Sequence, residues 1–129
     1  MTVALICVAL LGLLLIALGF AVSTARGQAN VLIGSPEDPT HRLQKLVRAH
    51  GNTAEYAPMF AVLIYALGTL APATWVLWCM GLAVASRYLI AAGLILGPSL
   101  AEAHPLRFVG ALGTYLTGAA LCVALLLHV

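Results

Sequence analysis

The run TVALICVALLGLLLIALGFAV, residues 2–22, holds no charged side chain. Its about 21 residues, at 1.5 Å of rise each, make roughly 30 Å of helix, the thickness of a bilayer's hydrocarbon core. No basic residue precedes it, and it is longer than the apolar core of a cleaved signal peptide, so it reads as a retained span. The rest of the chain agrees. Hydrophobic residues make up 63% of the 129 residues and charged residues 8%, with mean hydropathy +1.07. A soluble domain carries about 25% charged residues, so too few charges remain here to cover a water-facing surface. The length fits one domain. A net charge of +2 without a basic run gives no basis for a nucleic-acid partner.

Outward from the first span, Ser23 to Pro39 reads as a polar connection. Asp38-Pro39 suits a helix N-cap followed by proline in the first turn, which predicts a helix from near Thr40. That helix ends near Gly68 to Pro72, and at about 30 residues it would exceed the hydrocarbon core, leaving its basic first turns in water. Trp75 and Trp78 suit an outer interface and open a third span, which Gly97-Pro98 ends. Pro105 opens a fourth. The expected architecture is all-α, a left-handed four-helix transmembrane bundle with helices at about 2–23, 40–70, 75–97 and 105–128. Arg26, Arg42, Lys45 and Arg48 flank the first connection and Arg107 the third, while the second has no cation. The positive-inside rule then predicts cytosolic first and third connections and both termini outside.

The stretch Arg48-Ala49-His50-Gly51-Asn52-Thr53-Ala54-Glu55-Tyr56-Ala57-Pro58 carries the chemistry. At 100° per residue Arg48, Asn52 and Glu55 fall within about 60° of arc, with Tyr56 on the flank. Pro58 frees the carbonyl of Ala54 and predicts a kink beside this face. His50 lies about 200° round from Arg48, on another face. Measured from the outer ends of their helices, Glu55 and Arg87 lie about 22 Å and about 18 Å deep. A lone charge there costs about 2.5–3.5 kcal/mol, which predicts a Glu55–Arg87 ion pair with Arg48 close by. Arg48, Asn52, Tyr56 and Arg107 crowd the same end, more than a helix staple needs. Net positive charge facing a crevice suits a small anionic ligand with carboxylates, and Glu55 could hold its ammonium group.

Other polar residues carry less. Cys7, Cys79 and Cys122 lie in apolar stretches and read as buried small hydrophobes. No histidine has metal-ligand spacing, so no metal site is expected; His104 and His128 read as interfacial, and Tyr88 as packing. Gly93 and Gly97, then Gly110, Thr114 and Gly118, form small-residue stripes that let helices approach closely, within a protomer or between protomers.

Arg48-Ala49-His50-x-Asn52-x-x-Glu55-Tyr56-x-Pro58 resembles the signature of the membrane-associated proteins in eicosanoid and glutathione metabolism, the MAPEG family. The resemblance covers nearly the whole chain and is similar to the short bacterial members. It implies a homotrimer in the lipid bilayer, with glutathione as co-substrate bound between protomers near the cytosolic face. It implies glutathione contacts from Arg48, His50, Asn52, Glu55 and Tyr56, with Arg26 a looser match. Arg87 matches a third-helix arginine that pairs with the glutamate. Arg107 matches the catalytic arginine near the glutathione sulfur, where a cation favours the thiolate. The thiolate would attack a lipophilic electrophile or peroxide. Where catalytic eicosanoid members carry aromatic or histidine residues three and seven positions after the third-helix arginine, this chain has Ile90 and Leu94. Phe108 follows Arg107 where the prostaglandin synthase has serine, and Ala111 replaces an aromatic.

Two functions of different class are therefore expected: a glutathione-dependent membrane transferase or peroxidase, or a non-catalytic scaffold binding lipids or partner proteins. A small exporter would need an acidic residue in the first span, and residues 2–22 have none.

Overall fold

A computed structural model describes residues 1–128, which form four helices: α1 Thr2–Ala29, α2 Arg42–Thr69, α3 Thr74–Leu96 and α4 Pro105–Leu126. Helix α1 runs about two turns past its apolar segment. Ala25, Gln28 and Ala29 favour helix in water as well as lipid, and Asn30 closes it in the left-handed conformation at φ 52°. At the start of α2 the N-cap is His41, whose Nδ1 accepts from the Leu43 N–H, not Asp38. The Asp38 carboxylate instead accepts from the backbone N–H and the hydroxyl of Thr40. The Thr40 hydroxyl first, and then its N–H, hold that carboxyl below the usual aspartate range. Helix α2 continues unbroken through Pro58.

By length and composition α1, α3 and α4 are each apolar enough to cross a membrane. Helix α2 has the same length as α1, 28 residues, but carries Arg42, Lys45, Arg48 and Glu55. It crosses as one member of the bundle; Arg42, Arg48 and Glu55 stay exposed on the protomer, and Lys45 is half-buried. The chain is an all-α integral membrane protein.

Two antiparallel hairpins, α1–α2 and α3–α4, pack through α2 and α3. Both α2 and α3 touch all the other helices, whereas among the described residues α1 and α4 do not touch. The section is a rhombus with α2 and α3 across its short diagonal. On α1 the buried residues are Ala4, Cys7, Leu11, Leu14, Leu18, Val22 and Ala25. Each follows the last by three or four residues, the spacing of left-handed helix packing. Ala4, Cys7 and Leu11 join Ile64, Leu67, Val76, Met80 and Leu121 in the main core.

The small-residue stripes on α3 and α4 work within the protomer. A Cβ built on Gly110 would lie 2.7 Å from the Ile90 nitrogen and 2.8 Å from the Ser86 carbonyl, and one on Gly93 would lie 2.8 Å from the Arg107 nitrogen. Close backbone contact there sets where α4 begins against α3. At the same end the first and third connections are tied together. Leu100 N–H donates to the Pro39 carbonyl at 2.9 Å, and Lys45 Nζ to the Gly97 carbonyl at 2.8 Å, at the end of α3.

Candidate functional site

Arg87 is the largest fully buried side chain, at 0% exposure. Burial of a cation at this depth requires polar neighbours. Equal depth predicts Glu55 as that neighbour, but the hydrogen bonds go elsewhere. Arg87 Nη2 donates to Asn52 Oδ1 at 2.6 Å and to the Asn52 carbonyl at 2.9 Å; Nη1 donates to Thr114 Oγ1 at 3.3 Å. The guanidinium also lies 4.9 Å over the Tyr56 ring, a cation–π contact. Its Nε has no partner. Neutral acceptors and a ring face thus take the place of a carboxylate. Asn52 stands about one turn nearer the start of α2 than Glu55 and offers two oxygens to one guanidinium nitrogen. Glu55 is exposed on the outer side of α2.

The polar residues divide over three concavities. The first, about 330 Å³, lies among α2, α3 and the start of α4, with Arg48, Asn52, His104 and Arg107 as its polar lining. Ile90, Leu94, Phe108 and Ala111 line the same cavity, so the four departures from the catalytic pattern all stand at one place. Arg107 enters from the first turn of α4, and its Nη1 donates to the carbonyls of Leu100 (3.0 Å) and Glu102 (2.9 Å). Those bonds anchor the guanidinium against the third connection.

The second concavity is a groove of about 460 Å³ between α2 and α4. Glu55 and Tyr56 stand at one end, with Met59, Phe60, Leu63, Tyr115, Gly118 and Cys122 along it. The Tyr56 and Tyr115 rings meet edge to face with centroids 6.2 Å apart. Cys122 is exposed and Cys79 half-buried, so only Cys7 is the buried hydrophobe that apolar flanks predict for all three. Cys122 faces outward because α4 buries only one stripe in the protomer.

His50 and Arg26 share the third, a crevice of about 450 Å³ on the α1–α2 face with Gly19, Ser23 and Val47. His50 fits there because Gly19 has no side chain; a Cβ on it would lie 3.3 Å from Nε2. Arg26 Nε donates to the Gly34 carbonyl at 3.3 Å. One protomer therefore brings Arg48, Asn52 and Arg107 together, and holds Glu55 with Tyr56, and Arg26 with His50, on other faces.

Thr114 belongs to the site although its spacing marks it only as a small packing residue. It lies seven residues after Arg107 on the same face of α4, and that periodicity is the signal that it can reach the interior. Lys45 was legible as a cation facing water, but its bond to Gly97 depends on a loop whose path no local pattern reveals.

No curated protein and no solved structure matches the chain. The family model described as the MAPEG family matches residues 4–127. With that match over nearly the whole length, and with its charged second helix packed in a four-helix membrane bundle, the chain belongs to the MAPEG family.

Proposed function

We propose that this protein is a glutathione-dependent membrane transferase or peroxidase acting on lipophilic electrophiles, with glutathione held between protomers of a homotrimer near the cytosolic face. The observation that carries this reading is the convergence of Arg48, Asn52 and Arg107 on one cavity of about 330 Å³. That volume lies at the lower end of the about 300–1,000 Å³ typical of ligand sites, enough for part of a tripeptide. The remaining family positions face outward on the same protomer. Assembly would bring the Arg26–His50 face of one chain to the Arg48–Arg107 cavity of the next, which is why the division of the set supports a shared site. The cation-bearing connections would face the cytosol, with both termini outside.

In this reading Arg48 and the Asn52 amide hold carboxylate oxygens. Arg107, fixed by the Leu100 and Glu102 carbonyls, stands beside the sulfur. A cation there stabilises the thiolate over the thiol and lowers its pKa. The thiolate forms the new carbon–sulfur bond, and the electrophile's leaving group departs with the displaced electron pair. The α2–α4 groove, apolar along Met59, Phe60 and Leu63, suits the lipophilic partner. The test is conjugation of a chromogenic electrophile by the purified protein. Turnover should fall by about 10²-fold in Arg107→Ala; no turnover in the wild type, or none lost in that variant, sinks the reading.

A second reading is a non-catalytic scaffold that binds lipids or partner proteins. It is favoured by the hydrocarbon side chains of Ile90, Leu94, Phe108 and Ala111 lining the cavity, because none of them can donate a hydrogen bond to a developing anion. Tight glutathione binding by calorimetry in detergent would argue against it.

A further inference from the structure

Arginine has no hydrogen-bond acceptor, so the end of the Asn52 amide that meets Arg87 must be its oxygen. The amide nitrogen is then at the other end of a planar group. Asn52 lines the cavity that also holds Arg48 and Arg107, and its carbonyl is already engaged with a buried guanidinium. The Arg87 end is itself fixed. Its Nη1 is bonded to Thr114 on α4, and the Thr114 hydroxyl donates its own proton to the Gly110 carbonyl at 2.8 Å. The amide cannot turn over without facing its N–H₂ toward a cation that has only donors.

We infer that Arg87 is a positioning residue: it locks the Asn52 amide so that its N–H₂ faces the cavity, which thereby selects a carboxylate over the matching carboxamide. Arg48, Arg107, His104 and Asn52 are the polar lining of the cavity, and among the described residues no aspartate or glutamate lines it. A carboxylate, with two acceptor oxygens and a full negative charge, satisfies such a set. A carboxamide has no charge for the two guanidinium groups, and its N–H₂ meets only donors at Arg48, Arg107 and the Asn52 N–H₂. The Arg87–Asn52 bond thus converts a buried charge on α3 into a choice of ligand on α2. The inference gives the proposed glutathione site a reason to require free carboxylates and rests on that reading only for the identity of the ligand.

The test is nuclear magnetic resonance of the full-length protein in detergent, with ¹⁵N-asparagine labelling. The asparagines are Asn30 and Asn52, so the side-chain N–H₂ pairs are assigned by substituting Asn30. Three probes are titrated: glutathione, hexanoate and hexanamide. Hexanoate should shift the Asn52 N–H₂ pair, with affinity at least about tenfold above that of hexanamide. In Asn52→Asp, which keeps the size and the bond to Arg87 but replaces donors by an acceptor, calorimetry should find that preference lost and the fold intact. Arg87→Met should bring the acid-to-amide ratio toward one, whereas a purely structural role would weaken both probes in proportion. If Arg87→Met does not fold, Asn52→Asp decides alone. A hexanoate shift without a glutathione shift leaves the inference standing and removes glutathione as the ligand. Glutathione binding that leaves the Asn52 N–H₂ unmoved, no shift with any probe, or an unchanged ratio in Asn52→Asp overturns the inference.

Discussion

Gly93 on α3 leaves the space into which the backbone of Arg107 on α4 fits: a Cβ at Gly93 would lie 2.8 Å from the Arg107 nitrogen. The arginine proposed to meet the sulfur is thus placed by a missing methyl group on the neighbouring helix. Gly93→Ala should push the first turn of α4 outward and destabilise the protein by about 1–3 kcal/mol. Gly81→Ala on the same helix, where nothing lies within 4 Å of the added carbon, should be neutral or stabilising by up to about 1 kcal/mol. Denaturant titration of both variants in detergent checks the contrast, and equal effects would refute it.

The division of the polar residues over separate faces makes the shared-site proposal testable by mixing. His50→Ala and Arg107→Ala should each abolish most turnover in uniform assemblies. Co-expressed with different tags and purified through both, the two variants should regain roughly a third of wild-type turnover, because a closed ring of three that mixes them pairs two intact halves at one of its three interfaces. A site built within one protomer would regain none.

Lys45 bonds the carbonyl of Gly97 at 2.8 Å, at the end of α3, where unpaired carbonyls gather negative potential. Lys45→Met should lower stability by about 1 kcal/mol. A thermal shift assay in detergent would register it as a lower midpoint, and an unchanged midpoint would show that the bond contributes nothing.

Ala71, between α2 and α3, holds φ at 50°, and Pro72 follows it. A residue with a Cβ is disfavoured in this left-handed region, and glycine is not. Ala71→Gly should therefore stabilise the link by up to about 1 kcal/mol despite the added freedom of the unfolded chain. Differential scanning calorimetry showing a lower midpoint would contradict this.

The membrane class and the four helices were legible because α1, α3 and α4 are long and apolar, and proline, glycine or charge marks off the elements. The end of α1 was not: the apolar run stops at Val22, but helix propensity carries on to Ala29, and a change of solvent is not a change of backbone. Asp38-Pro39 has the residue types of a cap, yet the carboxylate closes on Thr40 and His41 starts the helix. At the site, helical periodicity placed Arg48 with Asn52 and set His50 apart. It could not choose Asn52 over Glu55 as the partner of Arg87, because both lie on the same arc and only rotamers and the height of α3 decide between them. Nor could it assign Thr114, whose role depends on how far α4 sinks against α3 at Gly110.

The cavity takes Arg48 and Asn52 from the first hairpin and Arg107 from the second, and the hairpins are joined by residues 70–73. It therefore has no existence while the chain is half made. The first hairpin alone leaves the Asn52 amide without the buried guanidinium that α3 supplies. Only the arrival of α3 and α4 gives Asn52 its guanidinium and Arg107 its place. A chain cut off after the first hairpin would keep Arg48 and Asn52 but have no cavity for them to line.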